Sequence, residues 1–127
     1  MSTLTKTKKP DPVRAHQFFR DKNEFTTGPM EVAHMLQEEP ENIIVVDVRY
    51  KEDYDEEHIP RSVNLPPDLW DTESGLLKDK TNVLVCYTQQ CHLASKAAEK
   101  FSAKGFPVME MEGGFQAWKD SDLEVED

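Results

Sequence analysis

The sequence predicts a single α/β domain, a parallel sheet covered by helices on both faces, and three observations carry that prediction. Residues 43–48 (IIVVDV) and 83–87 (VLVCY) are near-continuous apolar runs, the pattern of strands buried on both faces. Segments with helical spacing stand between the strand candidates throughout, which favours parallel strands joined by crossover helices. A length of 127 residues suits one compact domain with its own core and is too short for two.

Taken in order, residues 1–10 (MSTLTKTKKP) are polar and basic and end in proline, the composition of a disordered tail. Asp11 followed by Pro12 is a helix start, and Val13, Ala15, Gln17, Phe18 and Phe19 give residues 11–22 an apolar stripe. This segment reads as an appended helix that packs on the domain or meets a partner. Thr26-Thr27-Gly28-Pro29 is a second start signal. Behind it Met30, Val32, Ala33, Met35 and Leu36 form an amphipathic helix that must stop before Pro40. The strand at 43–48 follows, then a shorter candidate at 62–65 and the second buried strand at 83–87. From 91 to 104, Leu93, Ala94, Ala97, Ala98 and Phe101 share one helical face, and Gly105 sits where a C-terminal cap belongs. Residues 107–111 make a last strand, and Gly113-Gly114 opens a short terminal helix carrying Phe115 and Trp118, both read as core. His16 and His34 lie on predicted helices without companion ligands and read as surface residues.

Composition excludes several function classes. The formal net charge is −10, which repels nucleic acid and anionic membrane surfaces, so neither is an expected partner. Any anion-binding site must therefore rely on local geometry. No run approaches the roughly 18 to 20 apolar residues of a spanning helix, and the N-terminus has no apolar core of a signal peptide. Two cysteines do not make a disulfide scaffold. These features predict a cytoplasmic protein with reduced thiols.

The chemistry concentrates in residues 86–98 (CYTQQCHLASKAA), which hold both cysteines. Ligands of parallel α/β sheets sit beyond the carboxyl ends of the strands, and Cys86 ends one. The amides of a short loop there can form an anion-binding nest, and the following helix adds the positive end of its dipole. Both favour thiolate, the nucleophilic form. The competing reading is a buried structural cysteine.

Three stretches bear a family resemblance. Residues 43–66 (IIVVDVRYKEDYDEEHIPRSVNLP) resemble a signature of the rhodanese family, Asp-Val-Arg at a strand end, an acidic helix and His-Ile-Pro. Residues 111–126 (MEGGFQAWKDSDLEVE) resemble its C-terminal signature, and residues 83–101 (VLVCYTQQCHLASKAAEKF) carry the cysteine loop between them. The resemblance spans about residues 24–127 in register, and it implies a rhodanese-like domain there, with residues 1–23 as a polar tail and appended helix. It implies a three-layer fold with a central parallel sheet of about five strands and helices on both faces. It also implies that Cys86 is the catalytic carrier of sulfane sulfur. Tyr87, Thr88, Gln89, Gln90, Cys91 and His92 would form the substrate-binding loop. Asp47 and Arg49, closing a buried strand, read as structural anchors through charge-assisted hydrogen bonds, and His58 as a packing and loop-closing residue.

The loop departs from the common sulfurtransferase form. It lacks Gly and Arg and is about two residues longer by the family's pattern. Longer loops occur in the phosphatase relatives of the fold, but phosphoryl transfer wants an Arg fork, and here only His92 or Lys96 offers a cation. Cys91 has two readings: a resolving thiol that attacks a Cys86 persulfide, releasing sulfide and leaving a disulfide, or an apolar filler at a helix start. The first requires Cα atoms within roughly 7 Å. A metal site at Cys86, Cys91 and His92 has no fourth ligand in view.

The expected function is sulfur transfer. Cys86 would take the outer sulfur of a small anionic donor, thiosulfate or a persulfide, and pass it to a thiol, on a small molecule or a protein, or to cyanide, in a ping-pong scheme. Neither an organic cofactor nor a metal is needed. The alternatives are a non-catalytic or redox-sensing binding module built on the Cys86/Cys91 pair and, as a minor one, a phosphatase-type relative with an enlarged loop.

Overall fold

The computed structural model describes residues 8–127. The expectation for the first ten residues therefore falls mostly outside the described residues. The elements in chain order are α1 (Pro12–Phe25), β1 (Thr26–Thr27), α2 (Pro29–Glu38), β2 (Ile43–Asp47), α3 (Lys51–Glu56), β3 (Val63–Asn64), β4 (Thr81–Val85), α4 (Leu93–Ala103), β5 (Val108–Met111) and α5 (Gly114–Asp120). Two 3-10 turns, Pro40–Asn42 and Pro67–Thr72, join them. The strands form one parallel sheet of five in the order β1-β5-β4-β2-β3. This is the predicted fold class.

The continuous apolar runs explain the layering. In β2 and β4, alternate residues point to opposite faces, so each strand feeds two cores. Val45, Val83 and Val85 meet Val32, Leu36, Met111, Phe115 and Trp118 beneath α2 and α5. Val46, Leu84 and Cys86 meet Ala94, Ala97, Phe101 and Phe106 beneath α4. The parity of β4 thus sends the Cys86 side chain to the α4 face.

Element ends follow local chemistry. Asp11 caps α1, its Oδ1 accepting the Val13 N–H at 3.0 Å, and Pro12 occupies the first helical position. Gly105, at φ +92°, ends the α4 turn and lets the Phe106 N–H reach the Phe101 carbonyl at 3.2 Å.

Three features differ from the sequence expectation. Thr26–Thr27, read only as a helix start, is an edge strand in register with Glu110 and Met111. Two residues carry no periodicity, and the partner strand supplies their structure. The strand expected at 83–87 ends at Val85, because the carbonyls of Cys86 and Tyr87 turn away to accept the N–H groups of Phe115 (2.7 Å) and Gln116 (3.0 Å). Finally, the apolar stripe of α1 does not bury itself. The helix meets the β1–β5 edge near its C-terminal end, where Lys22 Nζ pairs with Glu112 Oε2 at 2.7 Å. Phe18 and Phe19 stack edge to face but stay 59% and 54% exposed. The helix also continues to Phe25, two residues past the boundary expected at 23.

Candidate active site

The site is built on the carboxyl end of β4. Cys86 is the first residue beyond the strand and is 2% exposed. Residues 87–92 then turn back, with the Cys91 N–H donating to the Thr88 carbonyl at 3.1 Å, and α4 starts at Leu93 with His92 as its N-cap. The amides of Tyr87, Thr88, Gln89, Gln90 and His92 donate to no protein acceptor among the described residues. Five free donors beside a helix N-terminus give this loop the means to hold a small anion.

The loop brings the two thiols together. Cys86 and Cys91 are joined in a disulfide, with Cα atoms 6.6 Å apart. The expectation of reduced thiols is not what this structure holds. Four residues between the cysteines, closed by the Thr88–Cys91 turn, suffice to bring the second sulfur onto the first. The Leu93 N–H, the first of α4, points at Cys91 Sγ at 3.5 Å. In this state the Cys86 sulfur is occupied, and nucleophilic chemistry at it requires reduction first.

The other loop residues divide by direction. Tyr87 leaves toward α3. Its hydroxyl donates to Asp53 Oδ2 at 2.5 Å and accepts the Tyr50 N–H at 3.1 Å. Burial, reinforced by the hydrogen bond to Asp53, pushes its phenol up to about 12. Gln89 reaches the start of α5, where its Oε1 accepts the Gly113 N–H at 2.6 Å. Thr88, Gln90 and His92 are exposed, as is Lys96. The loop is thus pinned on two sides, to α3 by Tyr87 and to α5 by Gln89.

Gly114 makes the second pin possible. At φ +66° it passes so close to the loop that a Cβ there would lie 2.6 Å from Tyr87 C, 2.7 Å from Thr88 N and 2.8 Å from Cys86 O. Only a residue without a side chain fits between α5 and the backbone of the site.

Asp47 and Arg49 lie on the flank of the site. Both are buried, at 1% and 4% exposure. Arg49 Nε donates to Asp47 Oδ1 (3.0 Å) and Oδ2 (3.1 Å), its Nη2 donates to Oδ2 (2.8 Å), and its backbone N–H also donates to Oδ1 (3.0 Å). Burial pushes the Asp47 carboxyl up, and the Arg49 guanidinium opposes it. Nη2 further donates to the Glu57 carbonyl at 2.8 Å, holding the end of α3. The guanidinium lies 4.1 Å from the Phe115 ring centroid and 5.8 Å from that of Tyr87. Its Nε and Nη2 donors and its face are committed to the scaffold, which leaves Nη1 alone without a protein acceptor among the described residues, so it presents no two-nitrogen fork to the loop. His58 stacks on Tyr54 at 3.9 Å, donates from Nδ1 to the Tyr54 carbonyl at 2.7 Å and stands 3.4 Å from Glu126 Oε1 through Nε2. It ties α3 to the C-terminal segment.

Sequence reasoning missed Asp53, Gln116 and Asn64. The Asn64 amide donates to the carbonyls of Asp47 and Arg49, both at 3.0 Å. Asp53 lies in an acidic run, and nothing local distinguishes the one carboxylate that receives Tyr87. A cleft of about 230 Å³ lined by Arg49, Asp53, Tyr87, Phe115 and Lys119 opens on the α5 side of the loop, whereas the Cys86 sulfur faces α4.

Comparison with known proteins agrees with this architecture. The model of the family described as "Rhodanese-like domain" matches residues 29–121. The chain belongs to the rhodanese-like family. One curated relative, thiosulfate sulfurtransferase GlpE of Pseudomonas savastanoi pv. phaseolicola, is 34% identical over 98 residues, covering 76% of this chain and 89% of the relative. Among solved structures, the BH2092 protein of Bacillus halodurans superposes with a TM-score of 0.82 at 36% identity, covering 91% of this chain and 86% of that one. A rhodanese-like domain protein of Staphylococcus aureus superposes at 0.68 with 27% identity, over 81% of this chain and 99% of the other. In this rhodanese-like chain the loop that follows β4 carries a second cysteine and no arginine.

Proposed function

We propose that this protein is a sulfurtransferase in which Cys86 carries sulfane sulfur. The observation that carries the reading is the position of Cys86 at the end of a buried strand, enclosed by a loop with five uncommitted amides. Relatives named thiosulfate sulfurtransferase supply the substrate class. The reduced Cys86 thiolate attacks the outer sulfur of thiosulfate, the S–S bond breaks, and sulfite leaves with the bonding pair. The persulfide terminus carries one negative charge, which the uncommitted amides of Tyr87, Thr88, Gln89, Gln90 and His92 and the α4 dipole would stabilise. An acceptor thiolate, on a small molecule or a protein, then attacks the outer sulfur, takes it as a new persulfide and regenerates the Cys86 thiolate. Cyanide would leave as thiocyanate. A persulfide donor enters by the same route. The reading places the protein in the cytoplasm, where reductants keep the pair open, and treats residues 24–127 as the working domain.

The disulfide favours one second reading, a redox-sensing binding module whose loop changes shape with the state of Cys86 and Cys91. A phosphatase-type activity is disfavoured, because Arg49 is held by Asp47 and Glu57 and the loop has no other arginine.

Intact-protein mass spectrometry decides. Reduced Cys91→Ser treated with thiosulfate or glutathione persulfide gains one sulfur atom, removable by cyanide, and Cys86→Ser gains none. Absence of any adduct, together with slow alkylation of Cys86, would transfer the assignment to the binding module.

A further inference from the structure

We infer that Cys91 is a built-in resolving thiol for the persulfide carried by Cys86, so that the protein reduces sulfane sulfur to sulfide and hands the oxidising equivalents to a dithiol. This rests on the reading of Cys86 as sulfur carrier, and it adds an activity that external transfer does not require.

The first observation is the pairing itself. Cys91 Sγ bonds to Cys86 Sγ with Cα atoms 6.6 Å apart, so the second sulfur reaches the atom a resolving thiolate must attack. Attack on the inner sulfur of a Cys86 persulfide forms the Cys86–Cys91 bond and breaks the bond to the outer sulfur. The outer sulfur leaves with the electron pair as hydrosulfide.

The second observation is the environment of Cys91. Its sulfur faces the Leu93 N–H at 3.5 Å, at the start of an 11-residue helix. A donor and a helix N-terminus both stabilise negative charge on the attacking sulfur.

The third is access. Cys86 is 2% exposed, which hinders a bulky external acceptor, whereas Cys91 already lies inside and is itself half-buried. Cys91 is therefore the sulfur that an external dithiol can reach. Attack there forms a mixed disulfide and expels the Cys86 thiolate. The dithiol's second sulfur then frees Cys91. The full cycle converts thiosulfate and a dithiol into sulfite, sulfide and a disulfide, with two electrons passing from the dithiol to the outer sulfur.

The test is a single turnover of the reduced full chain with thiosulfate, reading sulfide release and intact mass together. Wild type is expected to release one equivalent of sulfide without added thiol and to end as the internal disulfide without retained sulfur. Adding dithiothreitol makes the release catalytic. Cys91→Ser is expected to retain the sulfur and to lower thiol-independent sulfide release at least tenfold, while keeping its circular dichroism spectrum. If wild type instead keeps a stable persulfide with Cys91 open to alkylation, the inference is overturned and the carrier reading stands. If Cys91→Ser takes up no sulfur, both fall together.

Discussion

Replacing Gly114 by Ala tests whether the tight approach of α5 holds the cysteine loop in place. Two costs follow from the geometry. The backbone stays at φ +66°, where a Cβ costs about 1–2 kcal/mol. The added methyl also lands 2.6–2.8 Å from atoms of Cys86, Tyr87 and Thr88, all backbone, which cannot rotate aside. Overpacking of that kind costs about 1–3 kcal/mol more. The expected loss is about 2–5 kcal/mol, within the 5–15 kcal/mol stability of an ordinary domain, so the variant should fold. Gly105→Ala is the matched control. It has the same strain at φ +92°, but its nearest new contact is the flexible end of Lys78 at 3.8 Å, so only about 1–2 kcal/mol is expected. Urea midpoints at constant slope give the two losses, and the rate of thiosulfate loading on Cys86 gives the functional effect. Displacing the hydrogen bonds from Phe115 and Gln116 to the Cys86 and Tyr87 carbonyls should slow loading by up to about 100-fold, the penalty of a misplacement near 1 Å. Equal losses for the two variants, or an unchanged loading rate in Gly114→Ala, would refute the argument that α5 positions the loop.

Other perturbations separate the scaffold from the surface. Arg49→Ala leaves the 1%-exposed Asp47 carboxylate without its partner and should cost about 3–5 kcal/mol, whereas Lys51→Ala, which breaks the exposed pair with Asp55, should leave the denaturation midpoint essentially unchanged in the same assay. Phe101→Ala empties a fully buried site under Trp70 and should cost about 3–5 kcal/mol, while Phe18→Ser on exposed α1 should stay within about 0.5 kcal/mol; a larger Phe18 effect would mean that α1 buries its stripe. Tyr87 supplies a pH prediction. Its folded pKa, about 12, exceeds the ordinary value of about 10, so the folded state retains its proton longer than the unfolded chain. The stabilisation is complete below about pH 10 and is lost as pH rises toward 12. Tyr87→Phe should flatten that part of the stability–pH curve, and tyrosinate absorbance should lose one late-titrating phenol in the variant while that of Tyr54, which burial also pushes up, remains.

How much was legible in the sequence depends on whether a feature is local. The continuous runs at 43–48 and 83–87 specify strands buried on both faces, and both strands exist, as Ile43–Asp47 and Thr81–Val85. Cys86 could be placed at a strand end because β4 reads from its own residues, and the spacing to Cys91 set a distance condition that the structure meets at 6.6 Å. What depends on a partner far along the chain was not readable. Thr26–Thr27 is a strand only because Glu110 and Met111 lie beside it. Arg49 covers the ring of Phe115, and Tyr87 finds one carboxylate, Asp53, among several in an acidic helix. The pairing of the thiols was legible only as one of two readings of Cys91, because low cysteine content argues for reduced thiols in general and the five-residue spacing does not by itself fold one onto the other.

The departures of the loop from the common sulfurtransferase form point in one chemical direction. A chain of five Cα steps spans about 16–18 Å when extended, so a separation of 6.6 Å between Cys86 and Cys91 is the work of the turn closed by Thr88 and Cys91. The extra loop length therefore returns the chain to the first sulfur. A cradle of amides without arginine suits a compact, singly charged persulfide better than a phosphoryl group with charge spread over three oxygens. The missing arginine weakens the case for phosphate, and the second cysteine stands within reach of the Cys86 sulfur, where a resolving thiol would have to act. On the proposed reading one loop holds sulfane sulfur and releases it, and the Cys91→Ser variant separates transfer to an external thiol from release as sulfide.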